Sequence, residues 1–162
     1  MILPKSGVIT RGELLALTWD KLDVKNKVLK IDKSICNKKI IKLRTKSAIR
    51  NIDLPDELIK ILLDLKEESK ANNTDFIFPD VNGKRQDPDF MIKDKFQPLL
   101  EEAGLQNIKF IDLRDTYARV LIEQNLPLIY IMKQMGISNI KDFVDKYQKF
   151  IPEVKRGNFC LI

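Results

Sequence analysis

Apolar residues along this chain fall into two rhythms. Between Lys27 and Leu54 they alternate with charged ones: Val28, Leu29 and Ile31 against Lys30 and Asp32, then IIKLRT and SAIRNIDL. A period of two marks strands with one face covered. Three short antiparallel strands are expected, over residues 27–33, 39–45 and 47–54, with turns at Cys36-Asn37-Lys38 and Lys46-Ser47. Such a sheet tolerates one charged face.

Elsewhere the rhythm is helical. RGELLALTWDKLD predicts a short helix over Arg11–Asp23, with Thr10 as N-cap and Glu13 completing a capping box. Pro55 opens a second helix at its favoured first position, and Leu58, Ile61, Leu62 and Leu65 form its apolar stripe through Lys70. FIFPD reads as a short buried strand before the turn Asn82-Gly83. Asp87-Pro88-Asp89 caps a helix over 89–103, and Gly104 stops it. Three more helices follow, Asp112–Asn125, Pro127–Met135 and Ile140–Phe150. The whole, residues 1–162, reads as one mainly helical α+β domain with a small three-stranded antiparallel sheet near its start.

Composition narrows the class. The chain has 162 residues, 44% hydrophobic and 32% charged, which suits one globular domain. No apolar run approaches the roughly 20 residues of a membrane helix, so no membrane role is expected. The start MILPKSGVITRGE lacks the pattern of a signal peptide, and a cytoplasmic protein is expected. Cys36 and Cys160 fit free thiols there, although a disulfide stays open. The absence of histidine argues against zinc chemistry and against Ser-His or Cys-His catalysis. No metal and no cofactor are expected.

The net charge of +6 is unevenly spread: residues 1–50 carry 13 Lys/Arg against 4 Asp/Glu, and residues 51–162 carry 16 against 19. A basic first third suits a polyanion such as nucleic acid, or it is simply a solvated lysine-rich face. The candidate phosphate contacts are Lys38, Lys39, Lys42, Arg44, Lys46 and Arg50.

Five segments in order then carry a resemblance: RGELLALTWDKLD, the lysine-rich hairpin ending in IRNIDLPDEL, FIFPDVNGK, KFIDLRDTYA, and MGISNIKDFVDKY with eleven residues from Gly136 to Tyr147. Together they resemble the C-terminal catalytic domain of the tyrosine recombinases, the phage-integrase family. The resemblance implies DNA integration and site-specific recombination by a mobile element. The family's chemistry is metal-free attack of a tyrosine on a DNA phosphate. Two arginines hold the phosphate, a hairpin lysine protonates the leaving oxygen, and histidine or tryptophan residues assist. Arg114 matches the second arginine and Tyr147 the nucleophile.

The other positions depart from that pattern. Thr10 stands for the first arginine, Arg44 for the acid lysine, Ile111 for the histidine three residues before Arg114, and Ile137 for the His or Trp after Gly136. Loss of one phosphate clamp is worth about 2–4 kcal/mol of transition-state stabilisation. Guanidinium is a poor acid near neutral pH, and isoleucine handles no protons. Strand cleavage is therefore expected to be impaired, unless Arg11 and Lys46 substitute. Purely structural roles remain open: Arg114 in a salt bridge with Glu13 or Asp115, Tyr147 as a half-buried aromatic, Ile111 and Ile137 as core.

The first box begins only about nine residues into the chain, so the family's N-terminal DNA-clamp domain is expected to be absent. The partner expected is DNA, with a homo-oligomer or an intact recombinase as further partners. A second reading is a non-catalytic module that docks on an intact recombinase, suggested by the apolar tail Phe159-Cys160-Leu161-Ile162.

Overall fold

The computed structural model describes residues 8–70 and 74–152. Thr10 caps α1 (Arg11–Leu15) as the sequence predicts: its hydroxyl accepts from the Glu13 amide while Glu13 accepts from the Thr10 amide. This helix is shorter than expected. After Ala16 the chain extends, and only a 3₁₀ turn (Trp19–Lys21) follows. The cause is tertiary. Leu17 and Trp19 pair through their main chains with Ile77 and Asp75, so FIFPD forms an isolated bridge rather than a strand. Its Ile77 is nonetheless buried.

The expected single sheet is two. β1 (Leu22–Asp23), β2 (Val28–Ile31) and β5 (Arg50–Asp53) form one antiparallel sheet in the order β1-β2-β5. β3 (Lys33–Cys36) and β4 (Lys39–Lys42) form a separate hairpin. The run predicted over 27–33 changes partner at Asp32: Ile31 faces Arg50, while Lys33 faces Lys42. Residues 43–49 form a loop closed by the Ile49 amide on the Thr45 carbonyl, which is why the strands predicted at 39–45 and 47–54 are shorter. Alternation survives in β5, buried at Arg50 and Ile52 and exposed at Asn51 and Asp53. Every residue of β4 is exposed.

Helices build the rest. α2 (Asp56–Lys70) carries Leu58, Ile59 and Leu62 into the core. The helix predicted over 89–103 is broken into α3 (Pro88–Phe90), a π-helical stretch (Met91–Phe96) and α4 (Gln97–Glu102). Pro98 explains the wide turn: it lacks the amide that would bond back to Asp94, and its ring crowds that carbonyl. α5 (Asp112–Glu123), α6 (Leu128–Met135) and α7 (Ile140–Tyr147) fall where the sequence places them. They meet through Ala118, Ile122, Ile131, Met135, Phe143 and Tyr147, all at most 2% exposed. Among the described residues no helix is long and apolar enough to cross a membrane.

Candidate active site and nucleic-acid interface

Three chain segments converge because two close approaches are possible only beside glycine. A Cβ on Gly12 would lie 2.5 Å from the Ile35 carbonyl, so α1 rests directly on β3. Gly136 closes α6 at φ 68°, where a Cβ would meet the Ser47 carbonyl at 2.9 Å. α6 therefore presents its last carbonyls to β5 and α5.

Into that junction project two arginines. Arg50 is buried, and all five of its N–H groups are engaged. Nε donates to the Gln134 carbonyl (2.9 Å), Nη1 to Glu13 Oε1 (2.9 Å) and the Ala48 carbonyl (3.0 Å), and Nη2 to Glu13 Oε2 (3.0 Å) and the Val8 carbonyl (3.1 Å). The assignment of Arg50 to DNA phosphates is thus corrected. Its place on the inward face of a strand, beside a buried carboxylate, fixes it as half of a structural ion pair. Burial tends to raise the Glu13 pKa, but the hydrogen bonds and charge of Arg50 outweigh it and hold it below the ordinary 4.5.

Arg114 is partly buried on the first turn of α5. It donates to the Val8 carbonyl (2.5 Å) and to the Met135 carbonyl. The salt bridge weighed for Arg114 does not form: Glu13 belongs to Arg50, and Asp115 belongs to Tyr147. Burial and the adjacent Arg50 charge lower the Arg114 pKa from 12.5, yet a guanidinium remains charged at neutral pH. Glu13 is paired with Arg50, so among the described residues Arg114 has no ion-pair partner of its own. Among the described residues Arg114 has three donors without a partner.

Tyr147 is 2% exposed, deeper than a half-buried aromatic. It stacks at a tilt on Phe143, one helical turn earlier, with ring centroids 4.9 Å apart. Its hydroxyl donates to Asp115 Oδ1 (2.8 Å), and Lys146 Nζ reaches the same oxygen (2.6 Å). Desolvation and the Asp115 bond raise the phenol pKa above 10, while the Arg114 charge opposes them. In the sequence Asp115 stands out only as a possible partner of Arg114. The signal for its role is that residues 115 and 147 sit where two adjoining helices meet, which requires the fold.

The substituted positions lie around this junction. Thr10 and Ile111 line one open groove of ≈ 630 Å³ together with Arg11, whose guanidinium turns to Asp89 (3.2 Å). Ile111 is 46% exposed, so its reading as core is corrected: it forms an apolar wall of that groove. Ile137 packs on the core and lines a second groove of ≈ 380 Å³ with Lys46, Arg50 and Gly136. Lys38, Lys39, Lys42, Arg44 and Lys46 are all exposed, on the β3–β4 hairpin and the loop after it. Lys38 lies 3.7 Å from Asp87. The exposed face is apolar as well as basic, since Ile40 and Ile41 are 44% and 45% exposed. Of the two cysteines Cys36 is exposed and free, and Cys160, with the tail Phe159–Ile162, lies outside the described residues.

Comparison with known proteins identifies the family and the fold. The chain is 28% identical to a "Tyrosine recombinase XerC-like" protein of Caldanaerobacter subterraneus subsp. tengcongensis, over 91% of this chain and 44% of that protein. It is 26% identical to an "Integrase" of Saccharopolyspora erythraea, over 71% of this chain and 28% of that protein. The chain thus spans less than half the length of these curated relatives. Its fold matches that of the Tn1549 transposon integrase in complex with circular intermediate DNA, with a TM-score of 0.78 at 20% identity over 96% of this chain and 54% of that one. It also matches XerA recombinase, with a TM-score of 0.71 at 18% identity over 94% and 55%. The model of the phage integrase family matches residues 7–150. The chain belongs to the phage integrase family, the tyrosine recombinases.

Proposed function

We propose that this chain acts on DNA in site-specific recombination, holding the phosphate backbone with its basic hairpin and Arg114, and that its strand cleavage is impaired. One observation carries the reading: Arg114 is a partly buried guanidinium with no ion-pair partner and three unpartnered donors among the described residues, which a phosphate oxygen would satisfy. Lys38, Lys39, Lys42, Arg44 and Lys46 supply further phosphate contacts, largely without sequence preference. DNA as partner would place the chain in the cytoplasm.

Impairment follows from the substituted positions. Thr10 is committed to the helix cap, Arg44 releases no proton near neutral pH, and Arg50 has no donor to lend. Arg11 turns to Asp89, which weakens it as a replacement clamp, whereas Lys46 is exposed in the loop and is the better placed substitute for the acid.

The test is fluorescence anisotropy of a generic duplex across a salt series. Affinity should fall steeply with salt, and Arg114→Ala should weaken it further. Absence of binding at low salt overturns the reading. It would leave the docking module on an intact recombinase, for which the tail is the argument.

A further inference from the structure

We propose that Asp115 takes the proton of Tyr147 when the phenol oxygen attacks a DNA phosphate. This rests on Tyr147 being the nucleophile. The pair is already in place, with the hydroxyl donating to Asp115 Oδ1 at 2.8 Å, within the reach a general base needs. Lys146 holds the same oxygen at 2.6 Å, fixing the carboxyl group in position. The two positions that would manage protons in the family, Ile111 and Ile137, cannot do so here, and Asp115 is the carboxylate against the hydroxyl.

Charge favours the same assignment. Asp115 directly follows Arg114, so a phosphate drawn to the guanidinium arrives beside a carboxylate and is repelled by it. Accepting the tyrosine proton removes that negative charge as negative charge builds on the phosphorus oxygens. A carboxylate is too weak a base to ionise a phenol outright. The proton therefore moves only as the new bond forms and the phenol oxygen loses its basicity. The O–H bond of Tyr147 breaks and its proton goes to Asp115 Oδ1. A lone pair of the phenol oxygen forms the O–P bond. The bond from phosphorus to the 5′ oxygen breaks, and that oxygen leaves with the electron pair and takes a proton from solvent. At 2% exposure the Tyr147 side chain must become accessible to a phosphate while Asp115 stays against its hydroxyl.

The test uses a nicked duplex with a 5′-bridging sulfur at the scissile phosphate. The sulfur leaves as a thiolate, so the missing acid does not limit the rate. The whole chain should form a covalent DNA adduct near pH 7, and Tyr147→Phe should form none. Asp115→Asn keeps an oxygen for the hydroxyl to donate to but accepts no proton. It should react about 100-fold more slowly, with a rate that climbs with pH where that of the parent is flat. Asp115→Glu should recover part of the loss, and circular dichroism should show both variants folded. An Asp115→Asn rate equal to or above the parent, with the same pH profile, overturns the proposal and leaves Tyr147 as nucleophile. A parent chain that forms no adduct, or one that Tyr147→Phe forms equally well, removes the nucleophile and the proposal with it.

Discussion

Arg50 and Arg114 donate to one and the same carbonyl, that of Val8. The two guanidinium groups come from β5 and α5, and like charges this close repel one another. What holds them together is Glu13, bidentate on Arg50, and the α6 carbonyls of Gln134 and Met135. A structural cation thus braces Arg114, the cation proposed to hold phosphate.

Removing Glu13 should strand that brace. Its side chain and that of Arg50 are 9% and 6% exposed, so the pair is desolvated. Glu13→Ala leaves a buried cation without its counter-ion and should cost about 3–5 kcal/mol of stability, read by urea denaturation. A loss below about 1 kcal/mol would mean that water reaches the pair.

The pH dependence has a definite sign. The folded pKa of Glu13 is depressed, so its contribution is complete above the ordinary 4.5 and is lost as pH falls through the folded value. Tyr147 behaves oppositely: its raised pKa gives stability that is complete below 10 and lost as pH rises beyond it. Stability should therefore be level between about pH 5 and 9 and fall on both sides. Tyr147→Phe should make the alkaline branch shallower without abolishing it, because the Tyr130 and Tyr117 phenols are also raised, by burial and by Asp53, and should leave the acid branch unchanged. An unchanged alkaline branch in that variant would show that the phenol titrates normally.

Gly136→Ala should be costly for two separate reasons. Position 136 has φ 68°, and the added methyl would sit 2.9 Å from the Ser47 carbonyl. Strain of this kind costs about 1–3 kcal/mol. Because the same close approach seats the loop carrying Lys46 and the Arg50 end of β5, the thermal midpoint should fall and DNA affinity should weaken together. Normal affinity at reduced stability would separate the two.

Much of this is legible in the sequence because it is local. The Thr10–Glu13 capping box, the alternation of β5 and the three last helices follow from neighbours within a few residues. The two-sheet arrangement is not, since the run through Asp32 looks continuous and only its partners change. Arg50 reads as a surface cation because a charge in a basic hairpin gives no sign of burial. Its partner Glu13 lies 37 residues away, and its place is set by the packing of α6 on β5. Asp115 points to the wrong neighbour for the same reason: adjacency to Arg114 is visible in the sequence, whereas Tyr147 lies 32 residues on.

The hairpin and the brace should separate in DNA binding. Lys39, Lys42 and Lys46 are exposed. Replacing each with glutamine should leave the fold intact and reduce the slope of log affinity against log salt by about 0.9 for every phosphate that is no longer neutralised. A parallel slope with all three replaced would move the phosphate face elsewhere.

Thr10→Arg tests what the chain lacks. Thr10 is the N-cap of α1, and its replacement should cost about 1 kcal/mol as the hydroxyl bond to the Glu13 amide disappears. The new side chain would start on the wall of the groove it shares with Ile111, and Glu13 is already committed to Arg50. A second clamp on the phosphate is worth about 2–4 kcal/mol in the transition state, or about 30- to 1000-fold in rate. Adduct formation on a nicked duplex should therefore rise even as the thermal midpoint falls. Opposite movement of rate and stability is the informative result, since a merely structural change moves them together. A variant that loses stability and gains no adduct would show that position 10 does not face the phosphate.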